Sequence, residues 1–281
     1  MNFNTKETEG VAFAQLLANG PLVMGIVNIT PDSFYDGGKY SAHEDAIAHA
    51  GQLIAEGADI IDLGAASTRP GAKDIGPEEE LKRLLPVLEY LVKNHPGTPV
   101  SIDTFNSSVA NETVKRGAAI INDISGGSMD SEMFKTIGGL KVPYVLMHIQ
   151  GTPKTMQAEP HYTNVVEEVY KYFSKKIGEL KLAGVEQIII DPGFGFGKTV
   201  EHNYALLRNL GRFKNFGLPI MAGISRKSMI NKVLKTKPEN ALTGTIALNT
   251  IALLNGATIL RVHDVKEARQ VITLVQKVKN S

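Results

Sequence analysis

The chain has 281 residues, 43% of them hydrophobic, and its 30 basic residues nearly balance 29 acidic ones, for a formal charge of +1. This balance argues against a nucleic-acid-binding protein or a polybasic membrane-surface protein, because both need a concentrated positive field. The absence of cysteine excludes disulfides, thiolate nucleophiles and cysteine-ligated zinc, and it is compatible with a reducing compartment.

The N-terminal segment and the most apolar stretch of the chain bear on its location. Residues 1–10 have neither the basic region nor the apolar core of a secretory signal, so we expect a cytoplasmic protein. Residues 241–257 form the most apolar long stretch, but Thr, Asn and Gly residues interrupt it. This pattern predicts a buried helix and no membrane span.

Short β-branched runs recur along the whole chain, and each is followed by a longer segment with helical spacing. The runs are nearly continuously apolar, which is typical of parallel strands that are covered on both faces. Eight strands are therefore predicted, at Leu22–Val27, Ile60–Leu63, Val100–Ile102, Ala119–Ile121, Tyr144–Met147, Ile188–Ile190, Ile220–Ile224 and Thr258–Val262.

The intervening segments place apolar residues three and four positions apart, as in amphipathic helices. Eight strand–helix units of about 35 residues each predict a (β/α)8 TIM barrel. A doubly wound open sheet is the alternative. No linker divides the chain, so residues 1–281 are expected to form one domain, with residues 1–20 as a short N-terminal extension that covers the bottom of the barrel.

Polar residues follow every predicted strand. In a barrel of this kind the carboxyl ends of the strands surround one mouth, where the active site lies. Taken singly, a strand-end Asp or Asn is as often a helix cap or a satisfied buried group, and we favour function because all eight ends should converge. The residues are Asn28, Asp62, Asp103, Asn122 with Asp123, His148, Asp191, Ser225 to Lys227, and Arg261 with His263.

The glycine-rich run at residues 191–199, DPGFGFGKT, is similar to a nucleotide-binding loop but fails both common patterns. A P-loop needs Gly where Pro192 stands, and a dinucleotide fingerprint needs Gly in place of Lys198. Two interpretations remain open. One is a simple turn with Thr199 capping the next helix, and the other is a pocket for a flat heterocycle in which Asp191 accepts paired N–H donors beside two aromatic rings.

Two predicted strand–helix loops, at residues 28–38 and 67–73, are long and rich in turn-forming residues, as lids and ligand clamps often are. The first loop lacks the acidic positions of a calcium loop. Four cationic residues at the mouth, Arg69, Lys227, Arg261 and His263, suit a phosphate or pyrophosphate, although pairing with acidic residues or solvation is the alternative for each one.

Successive motifs of the chain resemble the dihydropteroate synthase family, in order from the first predicted strand to the last. They are NITPDSFYDGG at 28–38, STRPG at 67–71, SIDT at 101–104, INDISGG at 121–127, MHIQGTPKTMQ at 147–157, DPGFGFGKTVEHN at 191–203, GISRKSMI at 223–230 and RVHDV at 261–265.

This resemblance implies a barrel enzyme of folate biosynthesis and a sulfonamide target. Members condense 6-hydroxymethyl-7,8-dihydropterin pyrophosphate with p-aminobenzoate, by an SN1-like displacement, to 7,8-dihydropteroate and pyrophosphate. The resemblance further implies Mg²⁺ as the cofactor and a homodimer, with small-molecule substrates, no nucleic acid and no membrane.

The resemblance also implies roles for individual residues. Asp103, Asn122, Met147, Asp191 and Lys227 would bind the pterin, and Asp103, Lys227 and Arg261 would be catalytic. The pyrophosphate would be bound by Asn28, Thr68, Arg69, Arg261 and His263, with Asn28 also meeting the Mg²⁺. The p-aminobenzoate would be bound by Thr68, Pro70, Phe196, Lys227 and Ser228.

One departure from the family lies in the second long loop, where two glycines usually precede STRPG but Ala65 and Ala66 follow Gly64 here. Two other functions stay open at this stage. A pterin-dependent methyltransferase that acts with a corrinoid partner shares the pterin-end motifs but has no pyrophosphate to hold. A catalytically silent pterin-binding paralogue would be marked by loss of the loop motifs.

Overall fold

The computed structural model describes residues 13–29, 39–65, 75–152, 155–156 and 160–281. Its strands coincide with the apolar runs of the sequence, and nearly every strand residue is buried because helices cover the outer face and side chains fill the inner one. The strands are β1 (Leu22–Asn28), β2 (Ile60–Gly64), β3 (Val100–Asp103), β4 (Ile120–Asp123), β5 (Tyr144–Met147), β6 (Ile188–Asp191), β7 (Met221–Ala222) and β8 (Ile259–Val262).

Helices lie between successive strands. Pro77 is the first residue of the second helix. A backbone N–H at this position would have no acceptor within the helix, so proline costs no hydrogen bond here. The helices are α1 (Lys39–Ala55), α2 (Pro77–Asn94), α3 (Ser107–Lys115), α4 (Met133–Leu140), α5 (Val165–Leu182), α6 (Val200–Arg208), α7 (Ser228–Leu234), α8 (Leu242–Leu254) and α9 (Val265–Lys279).

All eight strands are parallel and follow the order β6-β5-β4-β3-β2-β1-β8-β7. A bridge between Ile190 and Ile220 joins the two ends of this sheet, so the barrel is nearly closed. The predicted TIM barrel is confirmed and the open sheet is wrong. Strand β7 is shorter than the predicted Ile220–Ile224, because Ile220 forms only that bridge and the residues after Ala222 leave the ladder for the mouth.

The lower part of the barrel is filled by one inward layer of apolar side chains: Leu22, Met24, Ile60, Ile120, Val145, Ile189, Met221 and Ile259. Residues 13–18 form a helix below this layer, and the Phe13 ring packs into it with Leu16 and Leu17 at its side. The lower end of the barrel is therefore closed by side chains, which leaves the opposite end for a ligand. Residues 1–12 of the predicted extension lie outside the described residues.

We expect Phe13→Ala to lower the free energy of unfolding by about 3 kcal/mol, because the truncation leaves a cavity beneath the inner layer. Urea unfolding measures this loss. Leu182→Ala, at a side chain that is 92% exposed, is the control and should change little. Equal stability of the two variants would contradict the packing role of Phe13.

Among the described residues, no helix combines the length and the apolar character needed to cross a bilayer.

Candidate active site

The mouth of the barrel is built on the strand positions two residues beyond the apolar inner layer. Side chains on a strand alternate between faces, so the residue two places after an inward one also points inward. Asp62 thus follows Ile60, and Asn122 follows Ile120. The same step after Val145, Ile189, Met221 and Ile259 gives Met147, Asp191, Gly223 and Arg261, and one further step on β2 and β8 gives Gly64 and His263.

Arg261 joins two carboxylates across the mouth. Its Nε donates to Asp62 Oδ2 at 2.7 Å, and its Nη2 donates to Asp103 Oδ2 at 2.9 Å. Asn122 Nδ2 donates to the same Asp62 oxygen at 3.1 Å. Asp62 is fully buried, whereas the side chains of Asp103 and Arg261 are 17% and 19% exposed, so the latter two form part of the pocket surface.

Opposing effects act on the pKa of Asp103. Burial raises the pKa of Asp103 to about 7, the Arg261 guanidinium opposes that rise, and the nearby Asp62 carboxylate adds to it. Arg261 therefore shifts Asp103 toward the carboxylate form, against burial, which favours the neutral acid.

Gly64 and Gly223 lie between the polar groups, where each leaves room for at most a small side chain. A Cβ on Gly223 would lie 3.8 Å from both Asp191 Oδ2 and Lys227 Nζ, and a Cβ on Gly64 would lie 3.6 Å from Asn28 Oδ1. These groups therefore face a volume that any larger side chain would begin to fill.

Asp191 and Lys227 form the opposite wall of the pocket. Asp191 is buried, and its Oδ1 accepts the Gly193 N–H at 2.7 Å. Burial raises the pKa of Asp191 and the Lys227 ammonium opposes this. Burial likewise lowers the pKa of Lys227 to about 8 while Asp191 raises it. Lys227 Nζ donates to the Phe194 carbonyl and lies 4.6 Å from the centroid of the Phe196 ring.

The glycine-rich run forms a tight loop between β6 and α6. Gly193 and Gly197 have positive φ angles of 70° and 63°, and a Cβ on either would clash with the carbonyl oxygen of His148 or Gln150, at 2.0 and 2.5 Å. Glycine is required here because the loop lies against the segment after β5. The capping role of Thr199 is confirmed, since its hydroxyl accepts the His202 N–H at 3.2 Å.

Only one of the two aromatic rings in this loop belongs to the pocket. Phe194 is fully buried in the layer between strands and helices, so the expectation of two rings beside the carboxylate is wrong for Phe194. Phe196 is half-buried beneath Lys227 and remains a pocket residue.

Two other strand-end residues do not reach the mouth. Asp123 lies on the outward face of β4 and anchors the following turn, where it accepts Ser125 N at 2.7 Å, Gly127 N at 2.9 Å and the Tyr144 hydroxyl at 2.6 Å. His148 is buried under the glycine-rich loop and contacts Lys198 Nζ through Nδ1 at 3.0 Å. Both are structural, which is the common fate of a strand-end polar group.

Side-chain contacts join the segments that follow β7 and β8. Ser225 Oγ lies 3.1 Å from His263 Nδ1, and Arg226 forms an ion pair with Asp264. Burial and the neighbouring Arg261 lower the pKa of His263 to about 4, which favours the neutral imidazole near neutral pH. The positive charge on His263 that the sequence suggested is therefore disfavoured.

The remaining predicted site residues have different placements. Met147 is buried in the pocket wall, Asn28 is exposed at the end of β1, and Ser228 is exposed as the first residue of α7. Thr68, Arg69 and Pro70 lie outside the described residues. Within the described ranges, no three His, Cys, Asp or Glu side chains form a group that could bind a metal.

Lys198 and Asn203 were not predicted, although both shape the pocket. Asn203 Oδ1 accepts Gly195 N at 2.7 Å, and Lys198 Nζ contacts the loop from below. In the sequence, Lys198 is notable only because it occupies a position where a dinucleotide fingerprint needs glycine. Lys198 stands between Gly197 and the helix-capping Thr199. This sequence context does not indicate whether the lysine side chain is exposed or buried.

Comparisons with known proteins agree with this geometry. Residues 24–263 match the model of a family described as pterin binding enzyme. The dihydropteroate synthase of Escherichia coli (strain K12) is 46% identical over 258 residues, which cover 91% of each chain.

Two solved structures are similar to the whole barrel. The Yersinia pestis dihydropteroate synthase with a sulfonamide drug complex has a TM-score of 0.88 at 39% identity, covering 94% of this chain and 96% of that one. The Xanthomonas albilineans dihydropteroate synthase with 4-aminobenzoic acid has a TM-score of 0.88 at 41% identity, covering 94% of both chains. This chain therefore belongs to the pterin-binding enzyme family and, within it, to the dihydropteroate synthases.

Proposed function

We propose that the mouth of the barrel divides the dihydropteroate synthase reaction between a pterin end at Asp191 and a pyrophosphate end at Arg261. The reaction joins the methylene carbon of 6-hydroxymethyl-7,8-dihydropterin pyrophosphate to the amine of p-aminobenzoate and releases pyrophosphate. Breaking the C–O bond leaves positive character on the methylene and negative charge on the leaving group. The two ends of the site therefore need opposite fields.

The observation that carries this proposal is the orientation of the Asp191 carboxylate. Its Oδ1 accepts the Gly193 N–H, and its Oδ2 lies 3.8 Å from the position that a Cβ on Gly223 would take, so the absence of a side chain at Gly223 leaves this oxygen room for a ligand. A pterin presents neighbouring N–H groups in a guanidine-like array, which a buried carboxylate matches with charge-assisted hydrogen bonds. Asn122 and Met147 complete the pterin end of the pocket.

Asp103 and Arg261 lie where charge develops in the reaction. Asp103, in its carboxylate form beside Arg261, would stabilise the electron-poor methylene. Arg261 has five N–H donors, and two of them bind Asp62 and Asp103, so donors remain for the pyrophosphate. His263, Thr68 and Arg69 are proposed to bind the same group, and His263 can gain a proton when an anion arrives.

The p-aminobenzoate is proposed to bind between Phe196, Lys227 and Ser228, with Thr68 and Pro70 from the second long loop. The Lys227 ammonium would face the carboxylate of the substrate, and the Phe196 ring would contact its aromatic face. The aryl amine is a competent nucleophile, so no general base or covalent intermediate is required.

Mg²⁺ is proposed as the cofactor, held by Asn28 together with the pyrophosphate. An exposed amide oxygen at the end of β1, close to the Gly64 space, fits this ion, because Mg²⁺ usually binds one or two protein ligands plus substrate phosphates and water. When bound, the ion would neutralise charge on the leaving group.

The proposal is tested by incubating the purified protein with Mg²⁺, dihydropterin pyrophosphate and p-aminobenzoate and measuring dihydropteroate by mass spectrometry. We expect product that depends on both substrates. A folded protein that binds a pterin but forms no product would be the silent paralogue, and methyl transfer to a corrinoid in its place would identify the methyltransferase. The cytoplasmic location stays a prediction from the N-terminal sequence.

A homodimer is proposed from an exposed apolar patch on two adjacent helices, α8 and α9. The patch consists of Ile251, Leu254, Leu274 and Val278, which are 40–71% exposed. Lys279 Nζ donates to the Leu253 carbonyl, which places the two helices side by side. Residues 241–260 contain no charged residue, and charge depletion on an exposed helix is typical of a homodimer interface. The symmetric patch of a second copy is the occupant we propose.

We expect the double substitution Ile251→Glu and Leu254→Glu to convert a dimer to a monomer, because it places charges in the centre of the patch. Sedimentation velocity measures the change. Leu182→Glu, on the exposed face of α5, is the matched control and should leave the dimer intact. A monomeric unsubstituted protein, or a dimer that survives the double substitution, would contradict this interface.

A further inference from the structure

Lys198 places an ammonium group underneath the loop that joins β6 to α6. Its side chain is buried, and its Nζ donates to the carbonyl oxygens of Gly193 and Phe196, each at 2.9 Å, and of His148 at 3.2 Å. His148 Nδ1 lies 3.0 Å from the same Nζ. One side chain thus ties two points of the loop to the end of β5.

The partners of Lys198 indicate a geometric role. Burial lowers the pKa of Lys198 to about 7, so the ammonium is costly to place here. Burial also lowers the pKa of His148 well below its usual range, which leaves its ring neutral. An apolar side chain could fill this space without a desolvation cost, but it could not hold three carbonyl oxygens at one point.

The loop that Lys198 holds is in direct contact with Lys227. The Phe194 carbonyl accepts the Lys227 ammonium, and the Phe196 ring lies below it. Phe194 and Phe196 alternate along the loop with Gly193 and Gly195, so a change in the backbone path moves both contacts together.

We propose that Lys198 is a positioning residue that sets Phe196 and Lys227 at the p-aminobenzoate subsite by tying the Gly193 and Phe196 carbonyls to His148. The assignment of the subsite to p-aminobenzoate rests on the proposed function, whereas the hydrogen bonds of Lys198 to the loop do not. The contacts of Lys198 Nζ are with three backbone carbonyl oxygens and His148, so we assign it no direct contact with the reacting groups.

The close packing of the loop supports this role independently. Gly193 and Gly197 bring the loop so near the segment after β5 that a Cβ on either would clash with its backbone. On the outer side, Asn203 holds Gly195 N at 2.7 Å and the Thr199 carbonyl at 2.6 Å. The loop is therefore fixed from two sides, and Lys198 supplies the inner attachment.

The first test needs no substrate. Hydrogen–deuterium exchange measured by mass spectrometry reports on the amides of Gly193, Gly195 and Phe196, all hydrogen-bonded in the intact loop. We expect Lys198→Met to raise their exchange about tenfold or more, and Lys198→Arg to restore part of the protection because it keeps a cationic donor. Unchanged exchange in Lys198→Met would overturn the proposal. If that variant does not fold, Lys198→Gln carries the same test.

The second test uses steady-state kinetics. We expect Lys198→Met to raise KM for p-aminobenzoate about tenfold, with KM for dihydropterin pyrophosphate within about threefold, because Asp191, Asn122 and Met147 of the pterin end lie on strands whereas Phe196 lies on the loop. Combining it with Phe196→Leu should add little, since both changes disrupt one contact. Val271→Ala, a buried substitution in α9, is the control for stability loss alone and should raise neither KM selectively.

The outcomes separate the two claims. Equal losses for both substrates, or full additivity with Phe196→Leu, would reduce Lys198 to a residue of general stability and overturn its positioning role. Absence of any dihydropteroate from the unsubstituted protein would instead reject the proposed function, and the exchange experiment would still decide whether Lys198 holds the loop.

Discussion

Substituting Asp191 by Asn is expected to abolish high-affinity pterin binding and leave the fold intact. The amide oxygen can still accept the Gly193 N–H, but the amide NH₂ then faces the N–H donors of the pterin across the space above Gly223. An opposed buried polar contact costs about 1–3 kcal/mol or more, so the affinity should fall at least about tenfold. Calorimetry with 6-hydroxymethylpterin measures it.

A second aspartate provides the matched control for this substitution. Like Asp191, Asp130 accepts backbone hydrogen bonds, here from the N–H groups of Ser107 at 2.7 Å and Glu132 at 2.9 Å, but it lies outside the mouth. Asp130→Asn should therefore leave pterin affinity unchanged. If Asp191→Asn binds the pterin as well as the unsubstituted protein, Asp191 serves only to shape the turn after β6.

Replacing Arg261 by Ala is expected to reduce both turnover and stability. The substitution removes the proposed pyrophosphate ligand and leaves Asp62, fully buried, without its cation. Breaking a buried ion pair from one side costs about 3–5 kcal/mol, which urea unfolding at pH 8 should show. Turnover should fall by about 100-fold or more, because the negative charge that develops on the pyrophosphate in the transition state loses the nearby guanidinium.

The stability loss in this variant should depend on pH. The pKa of Asp103 is about 7 in the folded protein, above its unfolded value, and removing Arg261 raises it further. The folded state then binds more protons than the unfolded state, so stability falls as pH rises through this range and recovers toward pH 5. Arg116→Ala, which breaks an exposed pair with Glu89, is the control and should show little loss at either pH. A loss independent of pH would contradict the pairing with Asp103.

The sequence predicted the barrel well because its signal is repeated eight times. Each strand is a short apolar run bounded by polar residues, and an error in one run changes little when the other seven agree. Strand β7 was the exception, since Ile220 forms a single bridge and the residues after Ala222 leave the ladder. Closure of the barrel depends on the pairing of β1 with β8, which are far apart in sequence, and no local pattern encodes it.

The sequence predicted which residues line the mouth more reliably than it predicted which of them bond to one another. Strand ends indicate which residues can approach each other, and Asp103, Asn122, Asp191 and Arg261 do converge. The choice of Asp62 and Asp103 as partners of Arg261 depends on the register of three strands distant in sequence. The outward face of Asp123 likewise follows from strand alternation, which a uniformly apolar run conceals.

The most direct test of a mouth with a pterin end and a pyrophosphate end is a crystal structure of this protein with 6-hydroxymethylpterin, pyrophosphate and Mg²⁺. The account predicts the pterin N–H groups on Asp191, with the ring beside Asn122, and the pyrophosphate within hydrogen-bond distance of Arg261. A pterin bound away from Asp191, or a pyrophosphate remote from Arg261, would contradict it.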